Sequence, residues 1–280
     1  MLIDLHTHSS ASDGTDAPAG VLAAAARAGL DVVGLTDHDT TLGWDEAIGA
    51  VSVTGVAVVL GTEISARDHG ISIHLLSYLQ DPNHPALAAE LARTRAARLV
   101  RARTMVERLG VDFDLTWEDV VAQTSLDTTV GRPHIADALV AAGASADRSA
   151  AFASMLSPRS KYYVPHYAPG ALDAVAAVRA AGGVPVFAHP GAQARGRVVS
   201  DSVIEDMVGA GLAGLEVHHR DHSPQQVARL TALAVRLGLL ITGSSDYHGT
   251  GKPNRMGENV TDPAVLAAIE EQGTTAVVRP

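Results

Sequence analysis

The sequence predicts an α/β fold: a barrel of strands alternating with helices, interrupted by a mostly helical insertion. Three observations lead there. Short apolar runs alternate with helix-patterned segments through the first and last parts of the 280 residues, the pattern of βα units packed around a parallel sheet. Between about residues 81 and 165 the alternation lapses, and helical signals follow one another with no strong strand among them. Histidines and carboxylates recur where the apolar runs end, which is where a β/α barrel carries its chemistry.

The elements follow in order. "LIDLH" reads as a strand, and "PAGVLAAAARAG" as a helix with proline near its start and glycine at its end. "LDVVGLT" is a second buried strand, and residues 42–50 form a short helix. "GVAVVLGTE" and "ISIHLLSYL" supply a third and a fourth strand. The insertion holds "HPALAAELARTRAARLVRARTMVERLG", "TWEDVVAQT", "RPHIADALVAAG" and "DRSAAFASML", all helical in pattern. Alternation then resumes with the helix "LDAVAAVRAAGG", the strand "VPVFAH" and a helix near "SVIEDMVGAG". It continues through the strand "LAGLEVHH", the helix "PQQVARLTALAVRLG", the strand "LLITGSSD" and a last helix near 263–272. The predicted organisation is therefore a barrel over 1–80 and 166–280, with 81–165 as a helical insertion covering its mouth.

Ligand-type residues mark almost every strand end. His6 and His8 lie two apart in an extended segment, so their side chains share a face. Asp13 follows in a Ser- and Gly-containing turn that can fold back beside them. "TDHDT" supplies Asp37, His38 and Asp39; Glu63 ends the third strand and His74 lies in the fourth. "FAHPG" gives His189, "LEVHH" gives Glu216, His218 and His219, and "SSDYHG" gives Asp246 and His248. A lone histidine is ordinarily structural, but their recurrence at matching strand ends points to bound metal. Imidazole and carboxylate donors suit manganese, iron or zinc and do not select among them.

"DLHTHSSASDG", "LTDHDT", "GTEIS", "AHPG" and "GSSDYHG" resemble, in chain order, the motifs of the PHP (polymerase and histidinol phosphatase) family. The resemblance implies a distorted seven-stranded β/α barrel with two or three divalent metal ions. By the same resemblance, His6, His8, Glu63 and Asp246 serve a first metal. Glu63 bridges to a second held by His74 and His189, and Asp13, His38 and His248 serve a third. The implied chemistry is attack of a metal-bridging hydroxide on a phosphomonoester, the remaining cation offsetting charge on the phosphoryl oxygens. Asp4, on the same face as His6, either orients a ligand or plugs the barrel floor; Asp37 and Asp39 flank a ligand and are expected to support it.

The insertion is expected to choose the substrate. An "RPH" helix followed by a "YVP" return resembles the family subgroup that hydrolyses nucleoside 3′,5′-bisphosphates and trims RNA from its 5′ end. Arg132 and His134 are therefore expected to touch substrate, since an arginine fork and a helix start both suit phosphate. Arg159 and Lys161 are candidates for the same role, or simply solvated cations. Tyr163 either stacks on a base or belongs to the core. His222 either assists the leaving group or belongs to a structural turn, because Ser223 with Gln226 three residues on reads as a capping box. His218 and His219 cannot both point inward from one strand. His69, His84 and His166 lack partners and are expected at the surface, as are the charges of "ARLVRAR" and "MVERLG".

Composition narrows the alternatives. With 31 acidic against 21 basic residues, the chain lacks the basic face that captures duplex nucleic acid; a small phosphorylated nucleotide or a short RNA end is the expected partner. There is no cysteine, which removes thiolate ligands, thiol nucleophiles and disulfides. No apolar run is long enough to span a bilayer and no basic-then-apolar leader is visible, so a cytoplasmic location is expected. The competing readings are a phosphatase of another monoester such as histidinol phosphate, a metal-dependent amidohydrolase, and a metal-binding accessory domain without turnover.

Overall fold

The computed structural model describes residues 1–125 and 128–280. The first half of the barrel comprises β1 (Ile3–Thr7), α1 (Pro18–Arg27), β2 (Val32–Leu35), α2 (Trp44–Thr54), β3 (Ala57–Asp68) and β4 (Ile71–Tyr78). The helical stretch follows with α3 (Pro85–Phe113), α4 (Trp117–Val121), α5 (Arg132–Ala141) and α6 (Arg148–Ala153). The barrel resumes with α7 (Ala171–Ala180), β5 (Val184–Phe187), α8 (Asp201–Gly209), β6 (Gly214–His218), α9 (Pro224–Leu237), β7 (Leu240–Gly243) and α10 (Pro263–Gln272).

All seven strands form one sheet in sequence order. The sheet curls almost closed: the His8 N–H donates to the Tyr247 carbonyl at 2.8 Å, beside a parallel bridge from Thr7 to Tyr247. Strands β1, β2 and β5 are short and buried along their whole length, as strands inside a helix-covered barrel are. Leu5, Val59, Leu76, Tyr78 and Val186 are fully buried in a cluster that reaches Leu266 and Ile269 of α10, which closes the floor. Each such leucine or valine contributes about 1.5–3 kcal/mol by leaving water.

One strand departs from the parallel pattern. β4 runs antiparallel to both β3 and β5. The cause is local: His69 and Gly70 both adopt positive φ, 42° and 79°, and a two-residue loop of that hand makes a tight hairpin. β3 therefore climbs past the mouth and β4 descends to the floor, with Ser65 opposite His74 and Glu63 opposite Leu76. The 29-residue α3 begins after that descent and is about 43 Å long at 1.5 Å per residue. Its early residues Leu87 and Leu91 pack with Ile64, Ile73 and Leu75 of the barrel. Its later residues Ala102, Met105 and Leu109 pack with Ile135, Leu139 and Leu156 in a separate core. One helix thus serves both cores. The helix expected over residues 42–50 instead spans Trp44–Thr54, entered from Gly43 and closed by Gly55 in the left-handed region.

Candidate active site

The strand ends bring the histidines and acids together. His6 lies in β1 and His8 just past its end, and their Nε2 atoms approach to 3.0 Å. The His6 Nδ1–H donates to Glu216 Oε1 at 2.9 Å, so His6 Nε2 is the nitrogen turned to the cluster. The turn after His8 is folded on a carboxylate from the end of β2. Asp37 accepts from the Ser9 N–H at 2.8 Å and from the Ser9 and Ser12 hydroxyls at 2.6 Å each. This turn delivers Asp13 to within 3.2 Å of His248 Nε2, while His248 Nδ1–H donates to the Asp246 carbonyl at 2.8 Å. Gly14 allows the turn: a Cβ there would stand 2.4 Å from the His8 carbonyl oxygen.

Glu63 stands at the centre. Its Oε2 lies 3.0 Å from His8 Nε2, 3.3 Å from His6 Nε2 and 3.3 Å from His38 Nδ1. Its Oε1 lies 2.8 Å from His74 Nδ1 and 3.2 Å from His189 Nε2. Asp246 Oδ1 borders the same space, 3.5 Å from His6 Nε2 and 3.4 Å from His8 Nε2. Every group except His74 is buried.

This arrangement fits divalent cations. Lone pairs converge on one another, and the buried atoms His38 Nδ1, His74 Nδ1 and His248 Nε2 have no hydrogen-bond partner among the described residues, a state that is unfavourable in a protein interior. Three overlapping groups have donor atoms within 4.8 Å of one another: His6, His8 and Glu63; His38, Glu63 and His74; and His8, Asp13, His38 and His248. His8 and His38 each join two groups, where the sequence resemblance gave each to one.

Burial and neighbouring charges divide the candidate ligands by protonation state. Burial alone would raise the Glu63 carboxyl, but His74, His38 and His6 hold it well below its usual range. Burial likewise opposes ionisation of Asp13, which His248 and His38 overcome. Burial pushes His189 down to about 3 and His248 to about 4, leaving neutral donors. His8 behaves oppositely: burial lowers it, yet Asp246, Glu63 and Asp13 lift it to about 9. His6 is likewise held well above its usual value, against its burial, by Glu216, Glu63 and Asp246, so a cation bound here displaces protons.

Supporting residues fix this geometry. Glu216 also accepts the His189 N–H at 2.7 Å and the Ser244 hydroxyl. Asp4, pushed up to about 6 by burial, accepts the backbone N–H groups of Ser245 at 3.0 Å and Gly257 at 2.8 Å, which ties down the loop that carries Asp246. Asp39 accepts from the Ser65 N–H and hydroxyl at 2.8 and 2.9 Å. Asp39, His189 and Asp246 all hold positive φ, at 54°, 34° and 54°, a strain of order 1 kcal/mol or more each that is typical of functional loops.

The expected substrate contacts fare unequally. The Arg132 guanidinium donates to the Leu156 carbonyl at 3.1 Å and lies 5.2 Å from the Phe152 ring. His134 is buried; its Nδ1 accepts the Gly131 N–H at 3.0 Å, placing the ring proton on Nε2. Arg159 is exposed, and Lys161 is 71% exposed and paired with Asp112 at 2.8 Å. Among the described residues neither bonds to the cluster. His222 is a structural pin: its Nδ1–H donates to the Val217 carbonyl at 2.8 Å and its Nε2 accepts the Gly191 N–H at 3.0 Å. Both nitrogens are used, which leaves none for a leaving group, and the Ser223–Gln226 capping box is present. His219 points inward and His218 outward. Tyr163 packs on the insertion's core.

Sequence reasoning missed the buried arginines. "ARLVRAR" is not a solvated face: Arg98 and Arg101 are 7% and 6% exposed, while Val100 beside them is 65% exposed. Arg98 bonds Asp39 at 2.7 Å and the Ser65 hydroxyl at 2.5 Å. Arg101 has no ion pair among the described residues, and burial with Arg98 and Arg132 holds its pKa well down. His166, expected at the surface, sits within this positive field; burial, Arg101 and Arg98 push it down to about 3. The i, i+3 spacing of Arg98 and Arg101 was the available signal. His69 is exposed as expected, and His84 precedes α3.

Comparison with known proteins agrees with this geometry. Residues 4–105 match the PHP domain model. A 3′,5′-nucleoside bisphosphate phosphatase of Chromobacterium violaceum is 35% identical, covering 99% of this chain and 98% of the relative. A phosphoribosyl 1,2-cyclic phosphate 1,2-diphosphodiesterase of Eggerthella lenta is 35% identical over 89% of this chain and 95% of its own. A 5′-3′ exoribonuclease of Haemophilus influenzae is 30% identical, with 88% and 89% covered. A solved structure from Bifidobacterium adolescentis, described as a metal-dependent phosphoesterase, superposes with a TM-score of 0.95 at 48% identity, covering 97% of this chain and 96% of that one. Fold, site and relatives together define a metal-dependent hydrolase. The chain belongs to the PHP domain family.

Proposed function

We propose that the chain removes the 3′-phosphate of a nucleoside 3′,5′-bisphosphate, leaving a 5′-monophosphate. The observation that carries this reading is the arginine group of α3 and α5. Arg101 is buried without a carboxylate partner among the described residues, beside Arg98 and Arg132. Buried like charges repel strongly unless an anion joins them. Arg98 links this group through Asp39 and Ser65 to the strand that carries Glu63. A substrate with one phosphate at the ligand cluster and a second on the arginines satisfies both. The named activity of the Chromobacterium relative supports the same reading.

The ligand sets proposed are His6, His8, Glu63 and Asp246; Glu63, His74 and His189; and Asp13, His38 and His248. Divalent cations held there would supply the positive charge that activates water and offsets the phosphoryl oxygens. The rest belongs to the chain. Glu216 holds the His6 proton at Nδ1, so that Nε2 is the nitrogen offered to a cation. His134 keeps its proton at Nε2, available as a hydrogen-bond donor to substrate oxygen. Arg98, Arg101 and Arg132 fix the phosphate that is not cleaved.

The test is phosphate release by manganese-reconstituted protein. The panel is adenosine 3′,5′-bisphosphate, adenosine 3′-monophosphate, a ribose 1,2-cyclic phosphate ester, short 5′-phosphorylated RNA and histidinol phosphate. Highest kcat/KM on the bisphosphate supports the reading; a preference for histidinol phosphate or the cyclic ester overturns it.

A further inference from the structure

We propose that Arg195 and Lys252 are positioning residues that restrict Asp246 to ligation through one oxygen, a role that rests on Asp246 being a metal ligand as read above. The two oxygens of this buried carboxylate face different surroundings. Oδ1 looks into the cluster, 3.5 Å from His6 Nε2, 3.4 Å from His8 Nε2 and 3.4 Å from His248 Nδ1. Oδ2 looks away from it. It accepts from Arg195 Nη2 at 2.6 Å and from Lys252 Nζ at 3.1 Å, with His219 Nε2 at 3.6 Å.

These donors come from three loops. Arg195 lies in the 3₁₀ turn Gln193–Arg195 after β5, and Lys252 follows the turn Gly249–Gly251 after β7. His219 follows β6; its Nδ1 accepts the Asp221 N–H at 3.1 Å, so its proton is on Nε2, turned to the Arg195–Asp246 side. The guanidinium is itself fixed, since Arg195 Nε donates to Asp221 Oδ2 at 2.6 Å. A carboxylate oxygen has two in-plane lone pairs, and the two cations occupy them.

Two consequences follow from elementary chemistry. A carboxylate held this way fills one coordination place where a free one can fill two, and so leaves room for water or a phosphoryl oxygen. Two cations beside Oδ2 also withdraw charge from Oδ1, which loosens the cation it holds. Unlike Arg101, Arg195 and Lys252 are already paired with carboxylates, so they serve the ligand and are not a second seat for phosphate.

The experiment compares Arg195→Met and Lys252→Met with the parent, using calorimetric titration of metal-free protein with manganese and, separately, turnover. The expected result is opposite movement: manganese affinity rises about tenfold at unchanged stoichiometry, the scale of effect usual for outer partners of a ligand. Meanwhile kcat falls with KM little changed, and Lys252→Arg restores the parental values. Affinity falling together with activity, or neither changing, overturns the proposal by making the two cations loop braces or bystanders. A manganese-loaded crystal structure with both Asp246 oxygens on one ion overturns it directly. Should one variant fail to fold, the other carries the test. Failure of the ligand reading itself is distinguishable: Asp246→Asn would then bind the parental number of manganese ions. The substrate panel bears on neither measurement.

Discussion

His6 donates its Nδ1 proton to Glu216 at 2.9 Å across 210 positions of sequence, and this one bond decides which nitrogen faces the cluster. Glu216 is ionised because His6 and then His219 and His189 outweigh its burial. Glu216→Gln keeps an acceptor but loses the charge that orients the ring and strengthens its other nitrogen. It should weaken metal affinity by about 10–100-fold, measured by titration with manganese, while the circular dichroism spectrum stays parental.

Metal binding should release protons. His8 is lifted to about 9 by the carboxylates against its burial, so in metal-free protein it is protonated at pH 7. A ligand must be deprotonated, and affinity should therefore rise with pH up to that value. Titration in buffers of different ionisation enthalpy counts the protons; a count of zero would contradict the assignment.

Arg101→Gln should separate binding from stability. The buried, unpaired charge is destabilising in the empty protein, so its removal should raise Tm by a few degrees. The same change should raise KM for a bisphosphate by about 10–100-fold, the worth of one or two hydrogen bonds to a charged group, and alter KM for a lone 3′-monophosphate much less.

His166 reports on the same arginines. Its folded pKa of about 3 lies below the ordinary 6.5, so it is neutral in the native protein at pH 7. Its contribution to stability is complete above pH 6.5 and is lost as pH falls toward 3. An anion on Arg98 and Arg101 cancels part of the field and should move the pKa upward by a unit or more, read from the ring proton shifts by NMR titration with adenosine 3′,5′-bisphosphate.

His222→Ala should lower stability by about 1–3 kcal/mol, because the Gly191 N–H and Val217 carbonyl lose their buried partner. The pH profile of kcat should keep its shape. A lost basic limb, where a general acid gives up its proton, would restore the leaving-group role that the two backbone bonds remove.

The residues of the cluster were legible because strand periodicity and strand ends are local properties. His6 and His8 share a face by alternation alone, and their neighbours recur wherever a strand meets a loop. The reversal of β4 was legible in principle from the two residues His69 and Gly70, but the strong β/α alternation around them spoke for parallel pairing. Arg98 and Arg101 were misread because charged residues in a long helix are usually solvated; their burial depends on Asp39 and on α5, far away in sequence. His222 was ambiguous between chemistry and turn until both its nitrogens could be traced to backbone partners. Arg195 carries no local signal, since the loop after β5 meets Asp246 only in the folded barrel, and Lys252, on the same loop as Asp246, shows its pairing only once that loop has turned back.

The reversed strand has a consequence for motion. A chain that dives to the floor at Tyr78 must return to the mouth, and α3 is that return, with its first turns anchored among barrel side chains and its last among those of the insertion. A shared rod admits no hinge at the junction. The substrate choice proposed for the helical stretch and the thermal resistance of the barrel would thus share one cooperative transition, and heating should melt the two cores as a single calorimetric peak.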